Sequence, residues 1–249
     1  MDASNTLRAD LRTSQQGRMS RLVTRMFMKH AHVVAVQTLA DDFRLITLES
    51  PAFRDLPWVP GQKVQIAMGS AFTARTYTPI DWDAATGRTR IVGYAHGDGP
   101  GSEWVRRVAP GDECDVLGPR TSLDASRADT RYVVLGDETS IGLACAIRHY
   151  HGASAIAPLL EVGQLAQASQ ALDALDLSRA RLFQRTADGS HLTEIEAALP
   201  ALALANATFL LTGKAATIQR LRQALKGCGV PSARIVTKAY WAPGKTGMD

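Results

Sequence analysis

Ala74-Arg75-Thr76-Tyr77-Thr78-Pro79 sets a fixed cation, an aromatic ring and hydroxyl groups on one short segment. In an extended chain, side chains alternate between faces, so Arg75 and Tyr77 are expected on one side and Thr76 and Thr78 on the other. That set suits a flat heterocycle joined to a pyrophosphate. Tyr77 can lie against a ring, Thr78 can hydrogen-bond a ring nitrogen, and Arg75 can grip phosphate through two parallel N–H bonds. Further on comes His96-Gly97-Asp98-Gly99-Pro100-Gly101-Ser102, then the apolar and basic run Trp104-Val105-Arg106-Arg107-Val108. This reads as a loop opening a helix whose N-terminus faces an anion. The two segments together point to a flavin dinucleotide and to redox chemistry. Taken singly, the first is equally an ordinary strand with an exposed arginine, and the second a plain loop.

The elements that must position these residues fall into two halves. Up to about residue 125 the pattern is of short strands: His32–Val36, Arg44–Leu48, Lys63–Met68, Arg88–His96 and Glu113–Leu117. Lys63–Met68 alternates polar and apolar residues, and Pro60-Gly61, Gly87, Pro110-Gly111 and Gly118-Pro119 punctuate the series. Five or six strands with one interposed helix at 102–108 predict a small six-stranded antiparallel barrel. From about residue 131, strands alternate with helices. Strands are expected at 132–135, 156–162, 181–184, 207–211 and 234–237, and helices at 138–150, 191–199 and 215–226. That order predicts a parallel sheet with helices on both faces. The turns after its first and fourth strands, Gly136-Asp137-Glu138-Thr139 and Thr212-Gly213-Lys214, lie where such sheets bind ligands, so a nicotinamide dinucleotide is expected across them. No Gly-x-Gly-x-x-Gly loop is present. The predicted division is 1–18 disordered, 19–126 the FAD-binding barrel and 131–249 the NAD(P)H-binding domain.

With 45% apolar and 21% charged residues, the chain has the composition of a globular protein. Its net charge of +4 is scattered rather than blocked, which argues against nucleic acid as a partner. No apolar run reaches the roughly 20 residues of a membrane span, and three widely spaced cysteines without a signal peptide fit a cytoplasmic location. The segment from Arg18 to Lys29, with Leu22, Val23, Met26 and Phe27, is expected to be a helix packed on the barrel rather than a membrane anchor. Cys145, on an apolar helix face, is expected in the core, and His149 and His151 on the surface at a helix end. His30 and His32 alternate at a strand start with no carboxylate or cysteine at metal spacing, so no metal site is expected.

These pieces resemble the siderophore-interacting protein family of flavoprotein ferric reductases, within the ferredoxin-reductase-like group. The resemblance rests on Arg75-Thr76-Tyr77-Thr78, the run from His96 to Trp104, Gly118-Pro119-Arg120, Gly136-Asp137-Glu138-Thr139 and the tail Tyr240-Trp241-Ala242-Pro243-Gly244-Lys245. It covers the chain from about residue 20 onward. It implies FAD as cofactor, NADPH or NADH as co-substrate, and a ferric siderophore or other small ferric chelate as partner; no nucleic acid and no integral membrane contact are expected, and the sequence does not fix the oligomeric state, a monomer being one possibility. It further implies that Arg75 meets the FAD phosphates, that Thr76 belongs to the cofactor site and that Tyr77 and Thr78 flank the flavin ring, with Thr78 as the catalytic contact. His96, Gly99, Pro100, Gly101 and Ser102 would meet the ribityl and pyrophosphate. Asp137, Glu138, Thr139, Thr212, Gly213 and Lys214 would line the nicotinamide side, and Tyr240 and Trp241 would sit near the flavin. Lys214 and Lys238 are candidates for attracting an anionic chelate. Two positions depart from the family pattern: Ile80 stands where many members carry a second arginine, and Thr212-Gly213-Lys214 where many carry Ala-Gly-Glu. Another acceptor, such as a quinone, a free flavin or a redox protein, and a non-enzymatic chelate- or flavin-binding role are the alternatives. Arg185, after the third sheet strand, could meet a 2′-phosphate and inclines the reading toward NADPH.

Overall fold

The structure is a computed structural model that describes residues 27–68 and 70–244. The expected disorder over 1–18, most of the helix expected from Arg18 to Lys29 and the tail residue Lys245 lie outside those residues, and the described end of that segment is not helical: exposed Phe27 is in a turn and Lys29 already opens a strand.

Seven antiparallel strands build the first half: β1 (Lys29–Ala40), β2 (Phe43–Glu49), β3 (Lys63–Met68), β4 (Ser70–Tyr77), β5 (Pro79–Asp83), β6 (Arg88–Tyr94) and β7 (Glu113–Arg120). Their order in the sheet is β4-β3-β7-β1-β2-β6-β5. The two outermost strands are therefore consecutive in the chain and separated only by Thr78. Pro79 supplies the break, because it cannot donate to a ladder and so starts a strand rather than continuing one. This accounts for seven strands where six were expected: the Arg75–Thr78 strand pairs with β3, and its continuation past Pro79 pairs with β6. The alternation expected at residues 75–77 holds. Arg75 and Tyr77 stand opposite buried Ile66 and Val64, while exposed Thr76 stands opposite Gln65. Helix α1 (Pro100–Arg107) sits between β6 and β7 in the chain and buries Ser102 and Val105.

The second half is a five-stranded parallel sheet: β8 (Tyr132–Asp137), β9 (Ile156–Val162), β10 (Arg181–Gln184), β11 (Thr208–Lys214) and β12 (Ile235–Trp241), ordered β10-β9-β8-β11-β12. Every residue of β8 is buried, as a strand covered on both faces must be. Helices α2 (Ile141–His151) and α3 (Leu165–Ala174) cover one face, and α4 (Ser190–Ala203) and α5 (Ala215–Gly227) the other. The sequence reading assigns no element to α3. Its buried stripe is Ala168, Ala171 and Leu172, and alanine contributes little to an apolar period.

The two halves share one core. Leu39, Ala40, Phe43 and Ile80 of the barrel pack in a single cluster with Ile141, Leu143, Ile147, Ala171 and Leu172 of the covering helices. Ile80 is 5% exposed within it. The position at which the family resemblance led us to expect a second arginine is thus turned into the apolar seam, where an unpaired guanidinium would be costly. Polar bonds cross the same seam: the Asp42 amide donates to Gln167 Oε1 at 3.2 Å, and the His151 ring meets the Ala125 carbonyl at 2.6 Å. His151 is therefore half-buried rather than a surface residue. Cys145 lies in the shared core as expected, and burial pushes its thiol up to about 12. Among the described residues no helix is long and apolar enough to cross a membrane.

Candidate functional site

The barrel end of the site is built by β4, β6 and α1. Helix α1 starts at Pro100 with Gly99 as its N-cap and no side chain capping it. Arg75 lies directly on that end: a Cβ on Gly101 would come within 2.8 Å of Arg75 Cγ. Gly97 and Gly99 have open space where a side chain would stand. The loop is pinned by the Ser102 hydroxyl, which donates to the His96 carbonyl at 2.5 Å, and by Arg106 Nη2, which donates to the Gly97 carbonyl at 3.0 Å. A guanidinium beside an uncapped helix N-terminus and an open glycine loop fits a dianionic pyrophosphate on charge and on shape. Behind it, Tyr77 packs against Trp104 with ring centroids 5.9 Å apart, and burial raises the Tyr77 hydroxyl above its ordinary value. Exposed His96 stacks on Tyr94 at 5.3 Å, and Tyr94 stacks on Phe43 at 4.7 Å.

The sheet order places the topological switch point of the second half between β8 and β11, where a doubly wound sheet opens at its carboxyl edge. Asp137 ends β8 there, 1% exposed. Its Oδ1 accepts from the Thr139 amide at 2.9 Å and from the Thr139 hydroxyl. Its Oδ2 accepts from the Lys214 amide at 3.0 Å and from Trp241 Nε1 at 2.7 Å. Gly213, at φ +94°, lets β11 come this close, since a Cβ would stand 2.3 Å from Asp137 Oδ2. Burial outweighs these donors and pushes the Asp137 carboxyl up to about 6. A register shift pairs Gly213 with Ala239 but Lys214 with Trp241, leaving Tyr240 as a bulge. The bulge re-aims two adjacent aromatics to different partners. Trp241 reaches Asp137, while the Tyr240 hydroxyl, pushed up to about 12 by burial, faces the Thr78 and Thr212 side chains, which act in the opposite sense. Lys214 Nζ stands over the Trp241 ring at 5.8 Å. The α2 end presses on Thr78 from the other side, with the Cβ position of Gly142 only 3.0 Å from the Thr78 carbonyl.

The structure thus joins Thr78, Asp137, Thr139, Thr212, Gly213, Lys214, Tyr240 and Trp241 into one connected group. Arg75, Tyr77, His96 and Gly99–Ser102 form a second group reached along β4. Lys238 is half-buried on β12, opposite Thr212 in the register. Glu138 turns away from the first group. Its Oε1 accepts from the Gly163 amide at 2.6 Å and the Tyr94 hydroxyl at 3.3 Å, and its Oε2 pairs with Arg185 at 2.8 Å. Arg185 is accordingly engaged by Glu138 rather than held free for a 2′-phosphate. The same guanidinium lies 3.9 Å from buried Glu161, which bonds His191 Nε2 at 2.7 Å and the Thr217 hydroxyl at 2.8 Å. Sequence reasoning missed this chain from Tyr94 to Thr217 as a connected whole because its members come from six separate segments. Glu138 and Arg185 were singled out, but for the nicotinamide side and a 2′-phosphate rather than for each other; Tyr94, two residues before His96 on an alternating strand, carried a further local signal. Tyr240→Phe removes the hydroxyl that faces Thr78 and Thr212, and urea unfolding is expected to show a loss of about 1 kcal/mol.

The expectation that His30 and His32 lack a carboxylate partner is overturned. Antiparallel pairing of β1 with β7 sets Glu113 opposite His32 and Asp115 opposite His30. One donor atom each of His30, His32 and Glu113 lies within 4.8 Å of the others. Linear spacing could not show this, because strand pairing joins residues far apart in the chain.

Comparison with known proteins agrees with this architecture. The family model for the siderophore-interacting FAD-binding domain matches residues 66–123, and that for siderophore-interacting protein matches residues 129–244. The siderophore-interacting protein SipS from Aeromonas hydrophila is similar in structure, with a TM-score of 0.71, 22% identity and coverage of 88% of this chain and 93% of that one. A siderophore utilization protein from T. fusca gives 0.69, 24%, 89% and 95%. The ferredoxin reductase in carbazole 1,9a-dioxygenase gives 0.68, 19%, 86% and 69%. No curated protein sequence matches this chain. The first half matches an FAD-binding domain, and the whole has a ferredoxin-reductase-like fold. With both domain models matched in order along one chain, the protein belongs to the siderophore-interacting protein family.

Proposed function

We propose that this flavoprotein reduces ferric siderophores, or other small ferric chelates, with NADPH or NADH and releases Fe(II). The FAD-binding unit in this reading is 19–126 and the nicotinamide-binding unit 131–249. The observation that carries it is the join at Thr78: the strand bearing Arg75 and Tyr77 ends where the second half closes on it, the Cβ position of Gly142 standing 3.0 Å from the Thr78 carbonyl and the Tyr240 hydroxyl facing its side chain. One cofactor seated on β4 therefore meets a donor seated on the parallel sheet.

Arg75 and the α1 N-terminus hold the pyrophosphate, and Thr76 flanks it. His96, Gly99, Pro100, Gly101 and Ser102 shape the loop around it. Tyr77 backs the ring, and Thr78 offers its hydroxyl at the ring edge with Tyr240 fixing its rotamer. Bound FAD supplies the exchange between a hydride donor and single-electron acceptors, so one NADPH or NADH reduces two Fe(III) ions. Asp137, Thr139 and the Thr212–Lys214 turn orient the donor, and the Tyr240–Trp241 pair excludes water between the two halves. Lys214 and Lys238 favour an anionic chelate through their charge. Reduction loosens a hard oxygen-donor chelator because Fe(II) carries less charge. The protein needs no metal of its own for this, since the chelator brings the iron.

The experiment is anaerobic. NADPH or NADH is expected to bleach the flavin absorbance, and a ferric siderophore is expected to restore it while Fe(II) accumulates on a colorimetric trap. Bleaching that no ferric chelate reverses would exclude the iron acceptor and leave a reductase of another substrate. No bleaching by either nicotinamide would exclude turnover.

A further inference from the structure

We propose that His30, His32 and Glu113 form a site for a divalent first-row transition ion on the outer face of the barrel. His30 and His32 are two apart on β1, so both rings project from one face of the strand, edge to face with centroids 5.3 Å apart. Glu113 enters from β7 between them. Its Oε2 lies 3.5 Å from His30 Nε2 and its Oε1 lies 3.7 Å from His32 Nδ1. A tetrahedron with metal–ligand bonds of about 2.0–2.1 Å has edges of about 3.3 Å, so these separations need only a small closure of mobile side chains. Exposures of 55%, 53% and 60% for the three side chains leave that closure free and the site open to solvent.

A second relation singles the cluster out. Asp115 Oδ1 lies 3.3 Å from His30 Nδ1, the ring nitrogen that does not face Glu113. A carboxylate on the far nitrogen of a liganding imidazole fixes its tautomer and turns the other nitrogen's lone pair toward the metal. The backbone beneath is rigid, because β1 is paired with β7 on one side and β2 on the other. Two imidazoles and one carboxylate suit Zn(II), Ni(II), Cu(II) or Fe(II) rather than Mg(II) or Ca(II). Nothing in this reading depends on the acceptor of the flavin electrons.

The test uses the untagged full-length holoprotein, stripped with a chelator and titrated calorimetrically with Zn(II) alone. One equivalent is expected to bind. His30→Ala/His32→Ala is expected to abolish saturable binding, Glu113→Gln to weaken it at least about tenfold, and Asp115→Asn to weaken it about 10–100-fold. Flavin content and bleaching by NADPH should be unchanged in all of them, which also reports that they fold. Absence of a saturable equivalent in the parent protein, or undiminished binding by the double variant, would overturn the site.

Discussion

Arg75→Ala is expected to yield a folded protein that loses FAD during purification. The guanidinium lies against Gly101 at the uncapped start of α1, and among the described residues its Nη1 donates to its neighbour's carbonyl, Ala74, at 2.9 Å. It contributes little to the fold that truncation would remove. What it contributes is charge placed beside a helix dipole of the same sign, and two positive ends held together are stabilised by an anion between them. Removing a charge that pairs with a buried anion costs about 2–5 kcal/mol, or roughly thirtyfold to several thousandfold in affinity. Fluorescence titration of the flavin-stripped variant should show that loss, with urea unfolding of the stripped protein near the parent value. Retention of flavin at parental affinity would refute the phosphate role. Arg75→Lys is expected to fall between, because the ammonium keeps the charge but not the two-pronged geometry.

Much of the fold was legible because local pattern and tertiary demand agree. Lys63–Met68, Ile156–Val162 and Arg181–Gln184 were expected with the bounds they have, since each is a short run whose burial follows its own sequence period. The α1 region and the carboxyl-edge turns were legible from glycines and capping residues. What escaped depends on pairing between distant segments. Helix α3 is written in alanines that become apolar contacts only when β1 lies against them. Ile80 looked like a missing cation until its place in the shared core with α2 was visible. His30 and Asp115 stand 85 residues apart and meet only through the β1–β7 register. Glu138 read as a nicotinamide contact from its place in the turn, and the distant Arg185 and Gly163 decide its direction.

Asp137 is expected to make the fold less stable as pH rises from about 4 to about 6. Its carboxyl sits at 3.8 in a model peptide and at about 6 here, burial being the largest cause. Between those values the folded chain holds a proton that the unfolded chain has released, so raising the pH draws the equilibrium toward unfolding. A shift of two units corresponds to about 3 kcal/mol, fully developed by neutral pH. Asp83, Asp124, Asp188 and Glu196 act in the opposite sense, because hydrogen bonds hold their carboxyls below the ordinary range and their contribution fades on acidification. The total curve therefore mixes both signs, and the Asp137 share is isolated by difference. Asp137→Asn cannot titrate, so the stability of the parent relative to this variant, measured by urea unfolding at pH 4, 5 and 7, is expected to fall by about 3 kcal/mol across that range. A difference that stays flat would mean the carboxyl does not titrate there. One that grows in favour of the parent would mean that the donors from Thr139, Lys214 and Trp241 outweigh burial. At neutral pH the asparagine also turns an amide donor toward one pair of those donors, so the variant should loosen Trp241 from the carboxyl edge and blue-shift or red-shift its fluorescence relative to the parent. The hydrogen bonds that Asp137 accepts from Thr139, Lys214 and Trp241 tie β11, β12 and the Trp241 ring to the end of β8, and burial sets against them a cost that grows as the carboxyl ionises.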